Sequence, residues 1–117
     1  MTSINKIFSI YVIELNPKVL GIKKFRDKNP DYLDGKPCVY VGFTSKTPKE
    51  RFAEHKTGLR SGPIKLHNTY AYKFGIRLKP RLYQHQNNQS MTEPEARAME
   101  IEKARRLRKR GYAVWQN

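Results

Sequence analysis

The chain has 117 residues and a formal net charge of +14, from 24 Lys and Arg against 10 Asp and Glu. Hydrophobic residues make up 38% of it and aromatic residues 11%, which supports one modest core and excludes a disordered polycation. This length predicts a single domain spanning residues 1–117. The charge predicts a polyanionic partner, with nucleic acid favoured, and binding that weakens as salt rises.

Location is indicated by two further features of the sequence. No segment is long and apolar enough to cross a bilayer, and the N-terminus lacks the apolar run and cleavage site of a secretory signal. We therefore expect no membrane partner.

Cys38 is the only cysteine, so it has no partner for an intrachain disulfide or a CxxC zinc motif. We expect Cys38 to be a buried strand residue in a reducing, cytoplasmic setting. No oligomeric state is indicated.

Two runs rich in β-branched and aromatic residues predict strands over residues 6–15 and 38–44, paired antiparallel. Between them, residues 16–37 contain three prolines and two glycines amid mixed charges. This composition predicts an irregular insertion with a short helical turn around residues 19–26. The insertion shapes access to a substrate in one interpretation and is a passive loop in the other.

Two capping-box signatures predict the starts of helices. Residues 47–50 open a helix that should end at Lys56, and residues 92–95 open a longer one that should end at Arg110. Each has proline at the first or second helical position, and each is followed by a glycine that can end it. The sequence therefore predicts two well-delimited helices.

The remaining segments give weaker predictions. We expect a further short helix over residues 66–74, an extended piece over residues 76–83 and a polar loop over residues 84–91. Residues 112–115 predict a last short strand.

The first of the two capped helices carries Arg51 and His55 four residues apart, hence on one face. Arginine offers a permanently charged fork for phosphate, and histidine holds or relays a proton near neutral pH. Tyr11 and Tyr40 lie in the two adjacent strands, and a phenol near a cation can act as a base. The alternative is a chance pair on an exposed basic helix beside ordinary strand tyrosines.

Glu100 interrupts the apolar stripe of the long helix. The other members of that stripe are Ala96, Met99, Lys103, Ala104 and Leu107. A buried carboxylate without a partner is costly, so Glu100 needs a cation, a hydrogen-bond network or a metal. A structural ion pair is the alternative to a metal site.

Basic residues on the helices are candidates for contact with a nucleic-acid backbone. Those predicted to make it are Lys56, Arg97, Arg105, Arg108 and Lys109. A solvated face is the alternative interpretation of such a run.

Taken together, these residues resemble the GIY-YIG nuclease family, in a small single-domain form of bacterial or phage type. Ser9-Ile10-Tyr11 stands where the family has Gly-Ile-Tyr, and Tyr40-Val41-Gly42 where it has Tyr-Ile-Gly. Arg51 matches the family arginine, His55 a histidine of restriction-type members, and Glu100 the metal-binding glutamate. The resemblance covers residues 6–117.

The chain also departs from the family pattern in three places. Ser9 replaces a glycine, and the insertion over residues 16–37 lengthens the gap between the two strand motifs. Ala113 stands in the place of a common asparagine, for which Asn117 could substitute only if the chain end folds back.

The resemblance implies an α/β (α+β) fold with a three-stranded antiparallel sheet flanked by helices. It implies hydrolysis of a phosphodiester bond, in DNA rather than RNA, with one Mg²⁺ or Mn²⁺ as cofactor. Glu100 would hold the metal, Arg51 would stabilise charge on the phosphoryl group, and Tyr11 would be the general base. Tyr40 and His55 would position the water or the phosphate. The alternatives are a catalytically inactive DNA- or RNA-binding module on the same fold, and a cationic scaffolding domain.

Overall fold

The computed structural model describes residues 7–58, 69–88 and 90–116. In chain order its elements are β1 (Ser9–Leu15), α1 (Lys23–Asp27), β2 (Cys38–Thr44), α2 (Pro48–Thr57), α3 (Tyr70–Phe74), β3 (Gly75–Leu78), α4 (Glu93–Lys109) and β4 (Ala113–Gln116). Turns of 3-10 helix occupy Pro17–Gly21, Pro80–Leu82 and Gln84–Asn88.

The four strands form one mixed sheet in the order β3-β1-β2-β4. Strand β1 pairs antiparallel with both β2 and β3, whereas β4 pairs parallel with β2. The predicted mixture of helices around a small sheet is confirmed. The prediction of a three-stranded antiparallel sheet is wrong, because a fourth strand adds a parallel pair.

The direction of β4 is decided by the helix before it. Helix α4 carries the chain from the β3 edge across to the free edge of β2, and such a helical crossover delivers a parallel strand. A strand of four residues carries no sign of its pairing direction in its own sequence.

The insertion between β1 and β2 contributes to the core. It contains a 3-10 turn and α1, which confirms the predicted helical turn. Val19 and Phe25 of the insertion are fully buried, and the ring of Phe25 stacks on that of Trp115 in β4, with centroids 6.3 Å apart. The insertion therefore covers part of the sheet.

Both predicted capping boxes form. At the start of α2 the backbone N–H of Glu50 donates to the Thr47 hydroxyl at 3.1 Å, and the Thr47 N–H donates to the Glu50 carboxylate at 3.0 Å. The same exchange opens α4. Gly58 and Gly111 follow the two helices with φ of 78° and 90°, a left-handed conformation that side chains disfavour.

The weaker segment predictions are met in part. Helix α3 lies within the predicted helix over residues 66–74, of which residues 66–68, including His67, lie outside the described ranges. The extended piece over residues 76–83 is a strand only as far as Leu78, and a 3-10 turn follows. The predicted loop over residues 84–91 contains another 3-10 turn.

The core lies on both sides of the two central strands. Ile10 to Ile13 in β1 and Val39 to Val41 in β2 are at most 1% exposed. Cys38 is buried and free, as predicted. None of the helices in the described ranges has the length and hydropathy that crossing a bilayer requires.

Candidate active site

Two strand tyrosines and one helical histidine meet in a buried cluster. The hydroxyl of Tyr11 lies 3.1 Å from Nε2 of His55. The ring of Tyr40 meets the His55 ring edge-on, with centroids 5.3 Å apart, and the two tyrosine rings stack at 6.4 Å. None of the three is more than 1% exposed. The structure thus joins three residues that the sequence predicted for one site.

Gly42 makes room for this cluster. It lies directly opposite Tyr11 in the antiparallel register of β1 and β2. A Cβ atom at Gly42 would stand 2.5 Å from the Tyr11 hydroxyl oxygen, closer than such atoms approach. The absence of a side chain at Gly42 therefore lets the Tyr11 phenol lie across β2 and reach His55.

Arg51 lies one helical turn before His55 and is 7% exposed. Its Nη1 donates to the Glu54 carboxylate at 3.1 Å, and Glu54 also pairs with Lys46. Burial alone would lower the pKa of Arg51, but neighbouring Tyr11 and Glu54 outweigh it and the pKa is raised. The guanidinium is therefore a fixed, permanently charged group beside the tyrosine–histidine cluster.

Glu54 and Thr69 complete the surroundings of the cluster and were not predicted. Burial would raise the pKa of Glu54, but Lys46 and Arg51 hold it lowered, so the carboxylate stays ionised. The spacing of three residues from Arg51 is the signal that could have found it. The Thr69 hydroxyl lies 3.5 Å from Nδ1 of His55, a contact across the chain that no local pattern indicates.

Glu100 is buried in the stripe of α4, as predicted, with 2% exposure. Its Oε2 has no hydrogen-bond partner among the described residues. Burial raises the pKa of Glu100 to about 7, and Arg97 opposes this. Arg97 is itself paired with Glu93 at 3.2 Å. Among the described residues, an ion pair therefore does not account for the burial of Glu100.

The tyrosine–histidine cluster and helix α4, which carries Glu100, contact opposite faces of β2. Tyr40 and Phe43 are three residues apart in β2, so their side chains point to opposite faces. Tyr40 meets His55 of α2, whereas Phe43 lies under the Arg97 guanidinium of α4, 5.1 Å from the ring centroid. Within the described ranges no hydrogen bond or ion pair joins Glu100 to the cluster or to Arg51.

Two of the predicted phosphate contacts hold the fold together. The Lys56 ammonium donates to the backbone carbonyl of Gly75 at 2.8 Å, which ties α2 to β3. The Arg108 guanidinium donates to the carbonyl of Val114 at 3.0 Å and to the side chain of Asn29 at 3.2 Å. Their donors are engaged by the protein, which leaves less for a phosphate.

The other three predicted contacts are exposed. Arg97 pairs with Glu93, and Arg105 with Glu102 at 2.7 Å. Exposed pairs of this kind are weak and can exchange for a phosphate. Lys109 lies at the end of α4 and lines a basic cleft.

The chain matches no model of a protein family, no curated protein and no solved structure.

Proposed function

We propose that this chain is a metal-dependent endonuclease of GIY-YIG type that hydrolyses phosphodiester bonds, in DNA in preference to RNA. The observation that carries the proposal is the contact of the Tyr11 hydroxyl with His55 beside the buried, charged Arg51. A phenol and an imidazole can take a proton from water, and a guanidinium can stabilise charge on phosphoryl oxygens, so this set suits phosphodiester hydrolysis. The net charge of +14 supports a polyanionic substrate, and a cytoplasmic location belongs to the same proposal.

Each residue of the cluster has a role in this reaction. Arg51 stabilises the negative charge that grows on the phosphoryl oxygens, and its ion pair with Glu54 holds the fork in place. Tyr11 is the general base for the attacking water, with His55 within reach of the same proton. Tyr40 packs against His55 and fixes the plane of the imidazole.

Glu100 fits the role of metal ligand. Its buried Oε2 lacks a partner among the described residues, and an ionised carboxylate in that place requires a nearby positive charge. Mg²⁺ is commonly held by one or two carboxylates while it keeps several waters, so a single glutamate suffices. When bound, Mg²⁺ or Mn²⁺ would stabilise charge on the leaving oxygen.

The runner-up is a nucleic-acid-binding module that does not cut. The position of Glu100 on the helix that contacts the other face of β2 favours it, because catalysis requires Glu100 and the tyrosine–histidine cluster to act on one phosphodiester. The two functions differ in whether Glu100 contributes to turnover.

The test is cleavage of labelled duplex, single-stranded, flap and branched DNA, and of RNA, with Mg²⁺ or Mn²⁺. Glu100→Gln and Arg51→Gln should each lower the rate by about 10²-fold or more. Their matched controls are Glu93→Gln, an exposed carboxylate on the same helix, and Lys49→Gln, an exposed cation on the same helix as Arg51. Both controls should cut normally, and EDTA should stop all cutting.

The result that overturns the proposal is equally direct. Salt-sensitive binding without cutting of any substrate would establish the non-catalytic module. Cutting that Glu100→Gln leaves intact would remove Glu100 from the reaction.

A further inference from the structure

A cleft of about 430 Å³ lies between the segment after β3 and the C-terminal half of α4. Two leucines contribute to its wall, and its other described lining residues are all basic. These basic residues are Arg81, His85, Lys103, Arg106, Lys109 and Arg110. No acidic side chain is among the described residues that line it. This concentration of one sign of charge is costly unless an anion shares the cleft.

Lys103 is the member of the cleft that most needs an anion. It belongs to the buried stripe of α4 and is 8% exposed. Within the described ranges its ammonium has no hydrogen bond or ion pair. Burial lowers the pKa of Lys103, and the nearby charges of Arg106 and Arg110 lower it further. A buried ammonium among like charges is stabilised when an anion enters from solvent.

The remaining basic residues of the cleft are exposed, which suits a phosphate that arrives from solvent. Arg106 is partly neutralised by Glu102, to which its Nε donates at 2.7 Å. Arg110 is exposed, with its guanidinium 5.6 Å from the centroid of the Tyr112 ring. Lys109 is exposed as well. Guanidinium forks and ammonium groups donate several N–H bonds to one phosphate, and mobile side chains can close on it.

We propose that this cleft binds the backbone phosphates of a nucleic-acid strand, as an anchor separate from the candidate active site. The identity of the strand rests on the proposed function, but the anchor itself requires no catalysis. It would hold the strand by phosphates that lie away from the bond that is cut. Of the five phosphate contacts predicted from the sequence, only Lys109 lines the cleft, and Lys103 is the buried member among its described basic residues.

The experiment is equilibrium binding of fluorescently labelled duplex and single-stranded DNA in EDTA, over a series of salt concentrations. Lys103→Gln and Arg110→Gln should each weaken binding by roughly 3- to 10-fold and reduce the salt slope by about 1. Lys23→Gln removes the same charge from an exposed position on α1, where Lys23 pairs with Asp27. This control should change neither quantity appreciably.

Folding is checked separately, because Lys103 is buried. Arg110 is exposed, so Arg110→Gln keeps the test valid if Lys103→Gln does not fold. Thermal unfolding of the wild-type chain with inorganic phosphate in place of chloride should show stabilisation that Arg110→Gln reduces.

Two results would overturn the anchor. Equal losses in Lys23→Gln and Arg110→Gln would mean that only the overall charge matters. Stabilisation by inorganic phosphate with unchanged DNA binding would assign the cleft to a small free anion. Binding is measured in EDTA, where nothing is cut, so the anchor is tested whether or not the chain is a nuclease. Loss of cutting and loss of anchoring are therefore separate outcomes.

Discussion

The polar groups beneath α2 have partners within the protein, whereas Lys103 and one oxygen of Glu100, in the buried stripe of α4, have none among the described residues. Under α2, Tyr11 contacts His55, and Arg51 is paired through Glu54. On α4, Glu100 leaves an oxygen without a hydrogen bond, and Lys103 is buried without an ion pair within the described ranges. Both regions contain buried polar side chains, but hydrogen bonds and ion pairs among the described residues satisfy only those beneath α2.

Buried groups that are already paired can form a preorganised site, whereas unpaired buried charges indicate a site that a bound ligand completes. A satisfied buried network is rigid, so it can hold reactive groups in place before a substrate arrives. An unsatisfied buried charge costs stability until a counterion binds. We therefore expect substitutions under α2 to lower stability, and neutralising substitutions at the α4 charges to raise it while ligand binding is lost.

The largest effect on stability is expected at Glu100. Burial raises its pKa from 4.5 to about 7, so folding favours the protonated carboxyl. That contribution is fully present below pH 4.5 and is lost as the pH rises through 7. Glu100→Gln does not ionise, so at pH 8 in EDTA it should be more stable than the wild type by at most about 3 kcal/mol. Urea unfolding at pH 4.5 and pH 8 measures this.

The difference between the two chains should nearly vanish at pH 4.5. Glu93→Gln, on the exposed first turn of α4, should match the wild type at both pH values. Mg²⁺ at pH 8 should stabilise the wild type and leave Glu100→Gln unchanged, because only the carboxylate binds the ion. Stabilisation of both chains by Mg²⁺ would place the metal elsewhere.

Gly42→Ala should produce the next largest change, in the opposite direction. Its Cβ would stand 2.5 Å from the Tyr11 hydroxyl oxygen and force the phenol away from His55. Such overpacking costs roughly 1–3 kcal/mol, and cleavage should fall with it. Thermal unfolding and cleavage assays check both effects. Gly21→Ala is the matched control, since no heavy atom lies within 4 Å of its new methyl group.

Tyr11→Phe should have a smaller effect on stability. It keeps the ring and removes only the hydroxyl that contacts His55. The loss of one buried hydrogen bond costs about 0.5–1.5 kcal/mol. Cleavage should fall much further, by about 10²-fold, if Tyr11 is the general base. A cleavage rate equal to that of the wild type would leave Tyr11 with a packing role alone.

Glu54→Gln should have the smallest effect of the series. It removes one charge from the pairs with Arg51 and Lys46, and Gln can still accept the hydrogen bond. The lowered pKa of Glu54 means that the carboxylate stabilises the fold above its ordinary pKa and stops doing so in acid. We expect normal folding at pH 7 and a cleavage rate at saturating DNA that is several-fold lower. An unchanged single-turnover rate would show that Arg51 needs no support from Glu54.

The separation of the two regions was only partly visible in the sequence. Tyr11 belongs to a clear strand pattern, and Arg51 and His55 to a capped helix. The helical spacing puts Arg51 and His55 on one face of α2. The contact of Glu54 with Lys46 spans eight residues, and that of Thr69 with His55 spans 14. Neither spacing is the repeat of a helix or a strand, so no local pattern indicates these contacts.

The sequence by itself determined the central strand pair, both capped helices and the burial of Glu100, because each depends on periodicity and capping within a short segment. Only the tertiary structure decided that β4 adds a parallel strand, that the insertion packs Phe25 onto Trp115, and that Lys103 lines a basic cleft. It also decided that Lys56 and Arg108 donate hydrogen bonds to backbone carbonyls of the protein, although the sequence predicts both as phosphate contacts. The physical reason is that a charged side chain takes its role from the groups around it, and those groups come from distant parts of the chain.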